Sequence, residues 1–367
     1  MFCSGRVSAG SCLVIAYSCT ALEELPTRRY RASMANRSST RRKRGTPKVN
    51  RGRSGSAQRE KKVGLGAAKS LELANLLQRQ TTTEGRNETP IPQLKLYRYS
   101  QPTESANVFM EPGVYVVAQG RKRVTVGDET YIYDPSQYLA VSVDLPAAGN
   151  VFEASPEEPY LCMTLTVDPR HLAALIVETG RHTPRDDHNG RAVYVSALRP
   201  SLLDGFLRLV RLLDAPQDIP VLAPLILREL NYRLLEGEQF GRLAQMAIGD
   251  GRLRRVSGAI AWIKEHFREP LEIGTLAKQV NMSPSALHHS FKAVAAMSPV
   301  QYQKRMRLHE ARRLLLYDST SAEAVAYEVG YASASQFNRE YVRLFGQPPR
   351  RDADRLRAEA SDESRNP

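Results

Sequence analysis

Two short stretches near the C-terminus carry the side chains best suited to reading a base edge. The first holds Ser285, Ala286, His288, His289 and Lys292; the second holds Ala334, Ser335, Asn338 and Arg339. An Arg fork matches guanine O6 and N7, and an Asn amide matches adenine N6 and N7. His288 and His289, mostly neutral at pH 7, can donate to or accept from a base edge. Leu287 and Phe291 lie four apart within the first stretch, and Phe337 and Tyr341 within the second. That spacing puts one apolar and one polar face on each of two helices.

Such faces need elements that aim them. Leu276-Ala277-x-x-Val280-x-Met282-Ser283 precedes the first stretch, and Val325-Ala326-x-x-Val329-x-Tyr331-x-Ser333 precedes the second. Each reads as a short apolar-periodic helix, a tight turn and a capping Ser, which is the sequence form of a helix-turn-helix. Ser283-Pro284 supplies an N-cap and a Pro at the first helical position. A helix over about 255–268, burying Ile260, Ile263 and Phe267, leads into the first unit. Between the units Ser298-Pro299 opens a helix running to about Leu316, about 27 Å at 1.5 Å per residue. That suits two recognition helices held about one DNA turn apart, roughly 34 Å. Lys304, Arg305, Arg307 and Arg312 on it, with Lys292 and Arg343 on the recognition helices, are candidates for backbone phosphates. Residues 252–357 thus read as an all-α, double helix-turn-helix domain whose partner is double-stranded DNA.

The middle of the chain differs. From Leu94 to Val167 short β-rich runs at 114–117, 123–126, 130–133, 138–143 and 161–167 are punctuated by Gly120, Gly127-Asp128, Asp134-Pro135, Pro146 and Pro156. This spacing predicts a small antiparallel barrel or sandwich. Helical patterns at 68–79, 169–179, 202–213 and 222–235 complete a domain over 68–248, and Gly249-Asp250-Gly251 reads as a linker. The fold class is α+β. The apolar faces of 202–213 and 222–235 suit either packing on the barrel or a homodimer.

Enzyme chemistry finds little support. The seven His stand at 171, 182, 188, 266, 288, 289 and 309, none of them in 94–167, which argues against a His-ligated barrel metal. His182 and His188 flank Asp186-Asp187 in what reads as a polar loop. No Ser/His/Asp arrangement and no phosphate loop is present, so neither an enzyme nor a cofactor is expected. A ligand-sensing pocket is the remaining role, with Tyr115, Arg121, Arg123, Tyr131, Tyr138, Tyr160 and Cys162 as candidates. Cys162 would sense electrophiles only as an accessible, low-pKa thiolate; its neighbours Leu161, Met163 and Leu165 instead predict a buried, inert thiol.

Charge is unevenly distributed. Residues 1–70 hold 16 Lys/Arg against 3 Asp/Glu, a net +13; residues 71–251 hold 17 against 23, net −6; residues 252–367 hold 19 against 13, net +6. Residues 1–67, with Arg41-Arg42-Lys43-Arg44 at the centre, read as a disordered basic tail that cannot bury enough apolar surface to offset its ordering entropy. Met34 offers an alternative start. Cys3, Cys12, Cys19 and Cys162 form no CxxC pair, so neither a disulfide framework nor a zinc site is expected. No apolar run reaches membrane-spanning length, and a reducing, cytoplasmic setting fits.

The residues of 255–350 resemble the AraC/XylS-type transcription regulators. Leu276-Ala277, Met282-Ser283-Pro284-Ser285, Leu287, Phe291-Lys292, Met297-Ser298-Pro299, Arg307-Leu308-x-x-Ala311-Arg312, Val329-Gly330-Tyr331, Ser335-Gln336-Phe337-x-Arg339 and Phe345-Gly346-x-Pro348-Pro349 carry the likeness. The middle is similar to the family's cupin-like N-terminal domain through Ala118-Gln119-Gly120-Arg121-Lys122, Tyr133-Asp134-Pro135, Val143-Asp144-Leu145-Pro146 and Ala154-Ser155-Pro156-x-x-Pro159-Tyr160. The resemblance implies a small-molecule effector, RNA polymerase as a partner, often a dimer, and activation in preference to repression. His289 departs from the Arg frequent at that place in the family, which opens the base preference of the first unit. Two alternatives stay open on the residues alone. One is a small-molecule-processing barrel enzyme fused to a DNA module. The other is a nonspecific DNA-binding protein acting through its basic tail.

Overall fold

The computed structural model describes residues 68–181, 191–248, 251–317 and 321–363. The basic tail, the His182–His188 loop and Gly249-Asp250 of the expected linker lie outside the described residues.

Helix α1 (68–80) is followed by strands β1 (Gly85–Glu88), β2 (Leu94–Tyr99), β3 (Ala106–Met110), β4 (Gly113–Gln119), β5 (Arg121–Val126), β6 (Glu129–Tyr133), β7 (Gln137–Val141), β8 (Leu145–Glu153) and β9 (Tyr160–Leu165). Helix α2 (Pro169–Glu178), strand β10 (Val193–Ala197) and helices α3 (Pro200–Arg211), α4 (Ile219–Leu235) and α5 (Phe240–Ile248) complete the N-terminal part. Two antiparallel sheets face each other, one ordered β1-β2-β9-β4-β7-β10 and the other β3-β8-β5-β6. This is the expected β-rich N-terminal domain, with five strands that the sequence reading did not anticipate: β1, β2, β3, β8 and β10.

β9 explains the packing. Tyr97 pairs with Cys162 and Tyr99 with Tyr160, so these side chains share the face turned toward the second sheet. Leu161, Met163 and Leu165 occupy the opposite face beside Leu94 and Leu96, all of them buried, and Leu165 borders a cleft shared with α2 and α4 there. A strand covered on both faces reads as a nearly unbroken apolar run. Burial of each such Leu contributes roughly 1.5–3 kcal/mol. Asp168 caps α2 by accepting from the Arg170 N–H.

The C-terminal part is all helical: α6 (Arg252–Glu265), α7 (Ile273–Gln279), α8 (Pro284–Ala295), α9 (Pro299–Tyr317), α10 (Ala322–Glu328), α11 (Ala334–Phe345) and α12 (Pro349–Glu363). One apolar core runs from the sheets through Leu276, Leu287, Phe291 and Tyr302; a second gathers Leu308, Val325, Val329, Phe337 and Tyr341. The first helix-turn-helix therefore shares its core with the sheet domain, while the second has its own. The Tyr302 hydroxyl donates to Asp144 O (3.0 Å), Lys264 pairs with Asp144 (2.9 Å) and the Ala192 N–H donates to Val294 O (3.2 Å).

Candidate nucleic-acid interface and sheet-domain cavity

The two helix-turn-helix units repeat one another in their bonds. In the first, the Met282 N–H donates to Ala277 O (2.9 Å); in the second, the Tyr331 N–H donates to Ala326 O (2.9 Å). The residue before each donor has a left-handed backbone, Asn281 at φ 53° and Gly330 at φ 93°. Gly330 is required, since a Cβ there would lie 2.1 Å from Arg268 O. Ser283 and Ser333 cap α8 and α11 by accepting from Ala286 and Gln336 N–H groups.

On α8, Leu287 and Phe291 are fully buried while Ser285, Ala286, His288, His289 and Lys292 are exposed. On α11, Phe337 and Tyr341 are buried, Ser335, Asn338, Arg339 and Arg343 are exposed, and Ala334 is half-buried. The side chains expected to face bases thus lie on the outer faces of the two second helices.

Several basic residues of α9 are engaged within the protein. Arg307 donates to Phe267 O (2.6 Å) and Glu269 O (2.8 Å) beyond α6, and to Gly330 O (2.7 Å) in the second turn. Arg312 forms a two-pronged pair with Asp352 (2.7 and 2.9 Å), and the two side chains are 7% and 0% exposed. Tyr341 and Arg355 also bond to Asp352. Lys304 pairs with Glu340 (2.7 Å), which also accepts from Tyr331 (2.8 Å). Arg305 is half-buried, and burial lowers its pKa. Arg312 is therefore an internal brace turned from solvent, and Arg307 braces the two units from a half-buried position. Lys292 and Arg343 keep exposed positions suited to phosphates.

The first recognition helix also faces the sheet domain. His289, Lys292, Ala293 and Ala296 line a cleft whose other wall is Asp128, Glu129 and Arg191. Arg191 pairs with Glu129 (2.8 Å), and Gly127 lies so close to Ala296 that a Cβ on it would clash. An acidic turn thus borders the polar face of α8.

A cavity of about 220 Å3 lies within the sheet domain. Tyr97, Tyr99, Tyr115, Tyr160 and Cys162 line it from the first sheet, and Lys122, Val124 and Val151 from the second. Tyr115, Tyr160 and Cys162 were among the expected pocket residues. Arg121 and Arg123 point the other way: Arg121 pairs with Glu153 (3.2 Å) and Arg123 lies over the Phe152 ring (5.3 Å). Tyr131 bonds to Glu129 (2.6 Å) and Tyr138 is buried near Gly237, both away from this cavity. The sequence reading missed Lys122, although its alternation with Val124 and Val126, both buried, marks it as inward-facing.

Electrostatics single out Lys122. Burial lowers its pKa, with only the nearby Cys162 acting in the opposite sense. Lys122 is half-buried and lines the cavity. Arg86, also lining the cavity, pairs with Glu88 and Glu111; Lys122 has no carboxylate partner among the described residues. The Tyr160 hydroxyl is buried beside the Tyr133 hydroxyl and the Cys162 thiol. Burial pushes the Cys162 thiol pKa up, an effect that Lys122 partly offsets. The thiol is 3% exposed and inert by this measure.

A family model described as the AraC-type transcriptional regulator N-terminus matches residues 90–242, and a helix-turn-helix domain model matches 276–355. The HTH-type transcriptional activator RhaS of Escherichia coli (strain SE11) is 30% identical over 96 residues, covering 26% of this chain and 34% of RhaS. RhaS of Escherichia fergusonii is 32% identical over 96 residues, with the same coverage. The chain thus spans about a third of the length of these relatives. Among solved structures, an apo variant of ToxT from Vibrio cholerae strain SCE256 superposes with a TM-score of 0.50 at 10% identity, covering 74% of this chain and 98% of ToxT. ToxT from Vibrio cholerae O395 bound to (E)-4-(8-methylnaphthalen-1-yl)but-3-enoic acid gives 0.50 at 11%, covering 72% and 98%. At these identities the likeness to ToxT is one of fold.

Proposed function

The chain belongs to the AraC-type family of transcriptional regulators, and from that premise we propose that it reads two adjacent major-groove segments and responds to a small anionic effector. The exposed Asn338 and Arg339 on α11, matched by His288 and His289 on α8, carry the DNA reading. Lys292 and Arg343 meet phosphates and fix register, while Arg307 and Arg312 hold the units in shape. The similarity to RhaS, an activator by name, supports activation, with RNA polymerase as the partner. The exposed apolar face of α4 at Val221, Leu222 and Leu225 supports association of two copies.

The effector reading rests on Lys122. A partly buried ammonium with no ion-pair partner among the described residues is costly, and an anion in the cavity supplies one, with the Tyr160 hydroxyl beside it. A cavity of 150 Å3 holds benzene, so about 220 Å3 suits one ring and a carboxylate.

Selection of sites from random duplex DNA by the full chain tests the DNA reading. Two enriched blocks about one turn apart are expected, and a failure to enrich any motif, with or without carboxylates, would refute it. Benzoate and benzamide, alike in shape and different in charge, test the cavity. Benzoate alone should raise the melting temperature; equal shifts from both would exclude an anion-specific site.

A further inference from the structure

β3 has work on both faces. Ala106, Val108 and Met110 wall the cavity. Asn107, between them, donates its side-chain amide to Leu344 O (2.6 Å), in the last turn of the recognition helix α11. Phe109 belongs to both sides. It lines the cavity and meets two rings of α9 edge-on, Tyr302 at 5.8 Å and His309 at 4.8 Å. His309 in turn meets Phe345 of α11 at 5.2 Å. A short strand thus stands between the proposed effector and the helices that present the second unit to DNA.

Two features make this strand movable. β3 is the terminal strand of its sheet, with β8 its one strand partner among the described residues, so displacing it breaks one ladder where an inner strand would break two. The contact it makes is also imperfect. His309 Nε2 is buried without a hydrogen-bond partner, and opening would give that atom to water. The missing bond offsets part of the ring packing, which leaves the closed arrangement with competing terms of opposite sign.

Resting on the cavity reading above, we propose that β3 is the coupling element of this protein: cavity occupancy sets the position of Val108 and Phe109, and Asn107 and Phe109 pass it to α11 and α9. The coupling is reciprocal, as linkage requires of any two sites joined by one equilibrium. Loosening α11 therefore changes how the cavity walls pack.

Amide hydrogen exchange of the full chain, resolved by segment, tests the coupling without any effector. Val108→Phe fills the cavity from β3 and leaves in place the Asn107 and Phe109 side chains that meet α11 and α9. Exchange within 299–317 and 334–345 is expected to rise about fivefold or more. Leu172→Ala, which opens the buried core at α2, controls for general destabilisation and should leave those two segments unchanged relative to β3. Unchanged protection of both segments in V108F, with β3 itself perturbed, would overturn the proposal. So would the same rise in L172A. Asn107→Ala supplies the reverse direction and covers a failure of V108F to fold: it should raise exchange in 106–110 and 145–153 as well as in α11. A rise confined to α11 would overturn the proposal. Benzoate separates the two readings. No binding by benzoate, alongside a V108F response in α9 and α11, would remove the benzoate-sized effector and leave the coupling standing. Benzoate that binds without altering either helix would overturn the coupling and leave the cavity reading in place.

Discussion

Arg312→Met should unfold the second helix-turn-helix without being a DNA-contact mutation. Arg312 and Asp352 form a two-pronged pair at 7% and 0% exposure, and Tyr341 and Arg355 depend on the same carboxylate. Removing one partner of a buried pair strands the other charge and costs about 3–5 kcal/mol. In a domain of about 100 residues each kcal/mol lowers Tm by roughly 4–8 °C, so the expected fall is about 12–40 °C. Thermal unfolding followed by circular dichroism reads it. The competing assignment, Arg312 on a phosphate, makes a different prediction. It leaves Tm unchanged and reduces the slope of log K against log salt by about 0.9. A stable R312M protein with that shallower slope would refute the structural reasoning. Asp352→Asn provides the internal check, because Asp352 cannot touch DNA and should still reproduce most of the loss in Tm.

Three further outcomes are expected. Arg339→Ala should weaken specific binding by about 1–3 kcal/mol and relax one base position, and an unchanged motif in repeated site selection would remove Arg339 from base reading. Lys122→Met should raise thermal stability in the absence of effector, because it replaces a partly buried ammonium, with no ion-pair partner among the described residues, by an apolar chain of similar length, and should abolish the benzoate shift; a lower Tm would contradict the unpaired state. Burial, with Arg312 and Arg305 nearby, holds His309 down to about 3, against about 6.5 when unfolded. Its folded pKa is the lower one, so the unfolded state binds the extra proton and stability falls as pH drops from about 6.5 toward 3; His309→Phe should flatten that limb of a stability-against-pH curve, and an unaltered limb would refute the assignment.

Much of the helical C-terminal part was legible because its signals are local. Ser283, Pro284 and Ser333 announce helix starts, and the spacing of Leu287, Phe291, Phe337 and Tyr341 fixes which faces are buried. The roles of the Arg residues were not local. Nothing near Arg312 in sequence shows that Asp352 returns from α12 to pair with it, and Arg307 finds three carbonyls only once the turns are folded. In the sheet domain β8 carries Pro146 and Gly149, residues that argue against a strand by themselves and are tolerated here through pairing with β3 and β5. β1, Gly-Arg-Asn-Glu, is a polar edge strand with no apolar run to mark it. On β5 Arg121 and Arg123 stand on the face away from the cavity and Lys122 on the face toward it: a slip of one residue exchanges the two faces of a strand, and the buried Val124 and Val126 set the phase.

Arg307 has a consequence for the DNA. A single guanidinium bonds carbonyls from the segment after α6 and from the second turn, so the two units are clamped with little freedom to adjust their spacing. On the proposed two-block reading, a mismatch between that fixed spacing and the helical repeat falls to the duplex, which must bend or twist to meet both recognition helices. Base pairs between the blocks, touched by no side chain, then acquire a preference for sequences that deform easily. The stiffness of the protein becomes a form of sequence discrimination exercised at a distance.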